Sequence, residues 1–413
     1  MHPFNAHKML KHRLLIGLLL VAAHTLSAQY DTLFNLNRAT GHFIKDDTIW
    51  LAAKSGVAKR LCSTGQLLAT YTNQNGPIPY HQVSDVFVDA QHRMWLYLEE
   101  KGIAMLDGNQ WTFWPPSDAH YVISGGFGGR IAVDSDGIPW IGAAYRTPMC
   151  YKNGQWQLPP EIGSVSFDTR ELKIGTDGKV WVVNGYGGIY RHNGTDWELV
   201  TAGTAGYTDF APAPGGGFYA CTFGNTSSEV YFYPDAGMPG QLLGTFNAHA
   251  SCIAVAPTGR LWVAGLFPEG IAYFENNEWK YLPEAEQYPS DIYHLALSVD
   301  AQGKLWDTKS FFGTRMYDGA QWQRIWTGPI GFERGAPGND GSIWFAYLNT
   351  LSRYYLATGE SEYVYLKPQS LFDYNMVGME PGPDGTFYAA NQRGELAWYD
   401  GNGNFKQTIE TFS

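Results

Sequence analysis

The chain predicts an all-β protein, a single β-propeller of four-stranded blades, with nine blades and eight as the alternative. Three observations carry this. An anchor aromatic recurs at Trp50, Trp95, Trp140, Trp181, Tyr219, Trp262, Trp306, Trp344 and Tyr388, at intervals of 38 to 45 residues, a period expected of propeller blades. Each anchor sits in a short apolar run flanked by other such runs, as in MWLYL, WVVN and LWVAG, and runs of this length bounded by Gly, Asp and Asn become strands. Tight-turn dipeptides close the units at Asp107-Gly108, Asn153-Gly154, Asn193-Gly194, Asp318-Gly319 and Asp400-Gly401.

Each unit reads as four runs, A to D. Run A, typified by Val83 to Val88 and Ser251 to Val255, ends in an Asp-Gly or Pro-Gly type turn. Run B carries the anchor, and a variable loop leads to run C, such as Ile103 to Leu106. The C to D hairpin needs positive φ at its centre, which Asn, Asp and Gly tolerate best. Such a meander has two apolar faces and must stack on neighbours. A buried Trp removes roughly 150 to 250 Å² from water, on the order of 4 to 6 kcal/mol at ~25 cal/mol per Å², so one anchor per interface is a plausible adhesive. Radial stacking leaves only short, protected edges. Tyr30 to Leu36 reads as a stray D strand, while the last unit carries its own at Phe405 to Phe412.

Met1 to Ala28 reads as a secretory signal. Lys8, Lys11 and Arg13 precede the apolar run Leu14 to Ala23, and Leu26-Ser27-Ala28 supplies a small-residue cleavage site. The run is shorter than the ~20 residues of a membrane span, and Gln29 rather than Cys follows the cut, against a lipoprotein anchor. The expectation is a periplasmic or secreted protein with a propeller domain at residues 29–413 and no membrane span after cleavage. The whole chain has 28 Lys plus Arg against 39 Asp plus Glu. Cleavage removes three basic residues and no acidic one, leaving 25 against 39, a formal charge of −14. Nucleic acid is excluded as a partner, since phosphate binding needs clustered Lys and Arg.

The phrase D-x-x-G-x-[LIV]-W-[IV]-x-x-x-x-G-[IL]-x-x-[YF]-[DN]-G, visible from Asp89, Asp134, Asp177 and Asp300, resembles the two-component regulator propeller repeat. The resemblance covers residues 40 to 405 and rests on core and turn positions. That repeat builds periplasmic sensor regions of hybrid signalling systems, particularly in Bacteroidota, whose ligands are often carbohydrate breakdown products. The immunoglobulin-like spacer, membrane helix and kinase that normally follow are missing from the pattern, so a free-standing relative is expected. A thinner similarity, confined to the scaffold phrase, links the chain to streptogramin lyase-like propellers, whose chemistry uses a His and Mg²⁺.

Motifs for chemistry are sparse. No HxH, HxxxH or HExxH occurs, so no cofactor is expected, and a divalent cation would need His249 and His294 to meet across blades near the channel. Asp134-Ser-Asp136-Gly137 looks like the start of a calcium loop but lacks the later ligands, and the same turn recurs in other blades. Gly125 to Gly129 lacks the Lys and helix of a phosphate cradle. Of the four cysteines, Cys221 and Cys252 fall in adjacent blades and are the disulfide candidates, whereas Cys62 and Cys150 are too far apart to pair.

The irregular positions point to binding. The B to C loops share one face and carry Glu99, Tyr145, Arg146, Tyr186, Phe223, Phe267, Phe311, Phe312 and Tyr347. Aromatics with a few charges on loops of a rigid frame suit a sugar ring or a peptide. Asp307 stands where other units have Leu51, Ile141, Val182 or Val263, and must pair, with Lys309 or Arg315, or mark a channel-facing site. The leading expectation is a non-catalytic module binding a glycan or protein partner on this face. The alternatives are a lyase or hydrolase at the channel mouth and a structural component of an envelope complex.

Overall fold

Nine four-stranded antiparallel sheets, each made of four consecutive strands, account for every strand among the described residues of the computed structural model. The structure describes residues 39–411 apart from positions 54–55, 73–74, 79–82, 119–127, 160–166, 202–205, 225, 267–269, 283–293, 310–312, 326–333, 338–339, 348–349, 356, 358–360, 366–375, 383–385, 392–394 and 401–404. Met1 to Ala28 and Tyr30 to Leu36 lie outside them.

The chain divides into two compact units. The larger, residues 38–327, holds seven sheets, at residues 39–72, 83–114, 130–157, 169–199, 207–246, 249–281 and 294–325. Each anchor packs on the following sheet. Trp50 meets Val86 and Leu96, Trp95 meets Ile131 and Ile141, and Trp140 meets Leu172 and Val182. The series continues with Trp181 on Phe210 and Ala220, and Trp262 on Leu297 and Leu305.

Trp306, fully buried, then packs on Ile49 and Leu51 of the first sheet. Polar bonds reinforce this seam: His42 Nδ1 lies 2.7 Å from Thr308 Oγ1, and Lys304 Nζ donates to the carbonyls of Cys62 and Ser63 at 3.3 and 3.1 Å. Seven blades therefore close a ring among themselves, which corrects the expectation of nine in one ring. The anchor pattern is alike in all units, but the number that closes depends on how far each sheet rotates against the next, which no single position encodes. The smaller unit holds the two remaining sheets, at 334–365 and 376–411, with Trp344 against Phe387 at 5.0 Å between ring centroids. Phe405–Thr411 is the last strand of the ninth sheet, as expected.

The repeated phrase has a direct structural cause. Asp134 Oδ1 accepts from the backbone N–H of Asp136 and Ile138 at 3.0 and 2.9 Å, and Oδ2 accepts from Trp140 Nε1 at 2.9 Å. Asp89 and Asp300 hold Trp95 and Trp306 in the same way. One carboxylate thus shapes the A to B turn and satisfies the buried indole N–H, which burial would otherwise leave unpaired. Asp134 is a turn and tryptophan clamp.

Candidate functional site

The innermost strands of the seven blades line an axial cavity of about 390 Å³. In six of them the strand carries a β-bulge against its neighbour, and the residue after it is Gly41, Asp85, Glu171, Asp209, Cys252 or Ala296. Each lies opposite the second residue after its anchor, and Arg130, which opens the third blade's strand, takes the same level opposite Gly142. A bulge re-aims a side chain, and here the re-aimed residues face the cavity.

The acids at this level tie the edge strands together. Asp85 accepts from Val86 N–H at 2.9 Å and, across to the next blade, from Ile131 N–H at 3.0 Å. Asp209 accepts from Phe210 N–H at 2.7 Å and from Ile253 N–H of the sixth blade at 3.0 Å. The innermost strand of a blade is a sheet edge with free N–H groups, and these carboxylates satisfy them. Two ion pairs share the layer: Arg130 Nε with Glu171 Oε2 at 3.1 Å, and Lys173 Nζ with Asp209 Oδ1 at 2.5 Å. Burial pushes Asp85 up to about 7 and Asp209 to about 6, opposed by Arg130 and Lys173 respectively. Burial also acts to raise Glu171, but the charges of Arg130 and Lys173 outweigh it and hold the group below its ordinary value. Burial pulls His42 down to about 4, so its imidazole is neutral at pH 7.

On the loop face, Tyr145 and Tyr186 are each 61% exposed and Phe223 is 49% exposed. They come from the B to C loops of the third, fourth and fifth blades. Asp168 organises this rim. Its Oδ1 accepts from Tyr145 N–H at 2.8 Å, which holds Tyr145 at a φ of 62°, and its own N–H donates to Asn184 Oδ1 at 2.9 Å. Asn184 Oδ1 also accepts from Tyr186 N–H at 3.2 Å. Gly185 is required beside it, since a Cβ there would lie 2.2 Å from Asp168 Oδ2. A non-glycine residue held at positive φ with its ring in solvent is a strained presentation. Arg170 reaches over the Phe223 ring at 5.8 Å, and His249 meets that ring edge-on at 4.6 Å.

The other expected site residues divide as follows. Arg146 is half-buried at the rim, its carbonyl accepting from Thr169 Oγ1 at 2.7 Å. Glu99 Oε2 lies 3.4 Å from Ser84 Oγ. Tyr347 ends a strand of the smaller unit. Phe267, Phe311 and Phe312 lie outside the described residues.

Asp307 is fully buried inside the seventh blade, between His294 Nδ1 at 2.6 Å and Arg315 Nε at 2.8 Å. The local pairing with Arg315 is present, and the channel-facing alternative is corrected, because this position points into the blade interface where Leu96 meets Trp50 elsewhere. His294 is thereby engaged with Asp307 and His249 with Phe223, and among the described residues no group of three His, Cys, Asp or Glu side chains is placed to hold a metal.

The Cys221–Cys252 bridge is not formed. Cys221 packs with Val230 and Ile253 between the fifth and sixth blades, whereas Cys252 packs with Trp262 and Leu297 between the sixth and seventh. Its Sγ donates to the His294 carbonyl at 3.3 Å.

No protein-family model matches the chain, and no curated protein matches it in sequence. Solved structures that resemble it include the extracellular domain of the hybrid two-component system BT4673 from B. thetaiotaomicron, at 13% identity over 90% of this chain and 59% of that one, with a TM-score of 0.41. YCF48 bound to D1 peptide is 14% identical over 69% of this chain and 92% of that one, at a TM-score of 0.45. The WD40 propeller domain of Doa1 is 13% identical over 71% and 96%, at 0.49. The chain spans 59% of the BT4673 domain and half of the related BT3049 domain. At these identities the likeness concerns the β-propeller fold alone.

Proposed function

We propose that this chain is an exported, non-catalytic propeller that binds a glycan on the loop face of its seven-bladed ring. The observation that supports this is the rim built by Asp168 and Asn184, which presents Tyr145 and Tyr186 to solvent from neighbouring blades. Exposed tyrosines present flat apolar faces with a polar tip, the surface that a sugar ring stacks on. Arg170 beside them, exposed and held by the buried Asp168 at 3.4 Å, supplies donors for hydroxyl groups. Export rests on the signal-like reading of Met1 to Ala28.

Thermal-shift and calorimetric titration against an oligosaccharide panel test this reading. At least one oligosaccharide is expected to stabilise the protein, and Tyr145→Ala with Tyr186→Ala is expected to weaken its binding at least tenfold while leaving the unfolding transition in place. No response to any glycan, or an unchanged affinity in the folded double variant, would overturn it. Turnover of the bound sugar would move the reading to the hydrolase or lyase alternative.

A further inference from the structure

The charge layer of the axial cavity does not balance. Glu171 has Arg130 and Asp209 has Lys173, each within salt-bridge distance. Asp85 has neither. Its two oxygens take backbone N–H groups of Val86 and Ile131, and no cationic side chain bonds to it. Arg130 acts on it only from beyond ion-pair distance and is shared with Glu171, so the layer holds three carboxyls and two cations, and Asp85 is the one without an ion pair of its own.

A second group nearby is also incomplete. Along the innermost strands, the residue after the re-aimed position is Val86, Ile131, Leu172, Phe210, Ile253 or Leu297, all apolar, except in the first blade, where it is His42. His42 lines the cavity and is 93% buried, and its Nε2 has no hydrogen-bond partner among the described residues. His42 Nδ1 and Thr308 Oγ1, and Thr308 Oγ1 and Thr314 Oγ1, lie 2.7 Å apart, a chain whose bonds are satisfied in either direction. Run from Nδ1 towards Thr314, it leaves Nε2 as an acceptor, the tautomer that a cationic donor in the cavity selects. Beside Asp85 and His42, the rings of Phe43 and Phe87 line the same cavity with their centroids 4.4 Å apart.

We propose that this cavity binds a small organic cation, an alkylammonium whose charge rests on Asp85, with His42 Nε2 accepting one of its protons and its apolar body along Phe43 and Phe87. The chemistry selects this class over two others. An organic anion would meet three carboxylates and two cations that are already neutralised. A neutral alcohol would leave Asp85 without an ion pair. An ammonium supplies the missing charge and donor together, and aromatic faces favour a cation further. The volume lies within the roughly 300 to 1,000 Å³ of small-molecule pockets. The site is separate from the rim and does not depend on the glycan reading.

Calorimetric titration of the whole chain with hexylamine, hexan-1-ol and hexanoate tests the proposal, since the three share one apolar body and differ in charge. Hexylamine is expected to bind at least tenfold more tightly than hexan-1-ol, with no measurable hexanoate binding. Equal affinity for amine and alcohol, or a preference for hexanoate, would overturn it. Ala296→Phe places a ring into the cavity from the seventh blade, where Ala296 lines it, without removing a side-chain hydrogen bond. It is expected to abolish hexylamine binding, and His42→Phe to weaken it at least tenfold. Retained binding in a folded Ala296→Phe protein would overturn the assignment, as would loss of amine binding in the Tyr145→Ala/Tyr186→Ala rim variant.

Discussion

Asp307→Ala is expected to lower the unfolding free energy by about 3 to 5 kcal/mol, the usual effect of removing one partner from a buried ion pair. The variant takes the shared carboxylate away from Arg315, whose guanidinium carbon lies 3.9 Å from the centroid of the Trp322 ring, and from His294, both buried. Replacing the whole cluster reverses the effect. The second blade has Val83, Leu96 and Ala104 at the positions of His294, Asp307 and Arg315, as the strand registers show. The triple variant His294→Val/Asp307→Leu/Arg315→Ala is therefore expected to be more stable than the single variant, because apolar groups replace a buried ion pair at little cost. Denaturant melts followed by tryptophan fluorescence measure both, and a triple variant less stable than Asp307→Ala would contradict this account of the blade.

The pH dependence follows from the same cluster. Burial acts to raise Asp307, but His294 and Arg315 outweigh it and hold the group below its ordinary value. A depressed carboxylate contributes stability that is present above its unfolded pKa of about 3.9 and is lost as pH falls below that. Asp307→Ala should accordingly narrow its deficit against the native protein in strongly acid solution.

Asp134→Ala has the second large expected effect, on the order of 3 kcal/mol. It removes the acceptor of two turn N–H groups and leaves Trp140 Nε1 buried without a partner. Asp177→Ala provides the comparison. Asp177 is exposed and accepts from Lys179 N–H and Trp181 Nε1, so its loss is expected to cost nearer 1 kcal/mol, water replacing part of what is removed. Equal losses in the two melts would show that the clamp does not work through burial.

These residues also mark what is readable in the chain. Asp134 and Trp140 are six positions apart, so the bond between them leaves a local phrase that repeats with the blade, and the nine sheets follow from it. Ring closure leaves no such phrase. Trp306 and Leu51 carry the same residue types whether their partners are adjacent blades or not.

The cavity layer is hidden for another reason. Asp85, Glu171 and Asp209 sit in runs that alternate normally until the bulge inserts one residue, and the bulge is a property of strand pairing. The signal that could have found them is a carboxylate inside VSDVFV, TRELKI and YTDFAP, at the same place before each anchor. Tyr145 and Tyr186 are legible in the sequence because their loops break the repeat. Asp307 was equally conspicuous, yet its exception serves packing, since Arg315 on the adjoining strand meets it inside the blade.

The contact between the first and seventh blades is the most direct test. Ser63 and Gln302 are exposed, at the edges where Lys304 meets the Ser63 carbonyl, and the four native cysteines are buried. With Ser63→Cys and Gln302→Cys in the full chain, a short bismaleimide is expected to join the two within one molecule, identified by mass spectrometry of the cross-linked peptides. Labelling of both thiols without an intramolecular link would contradict the seven-bladed ring.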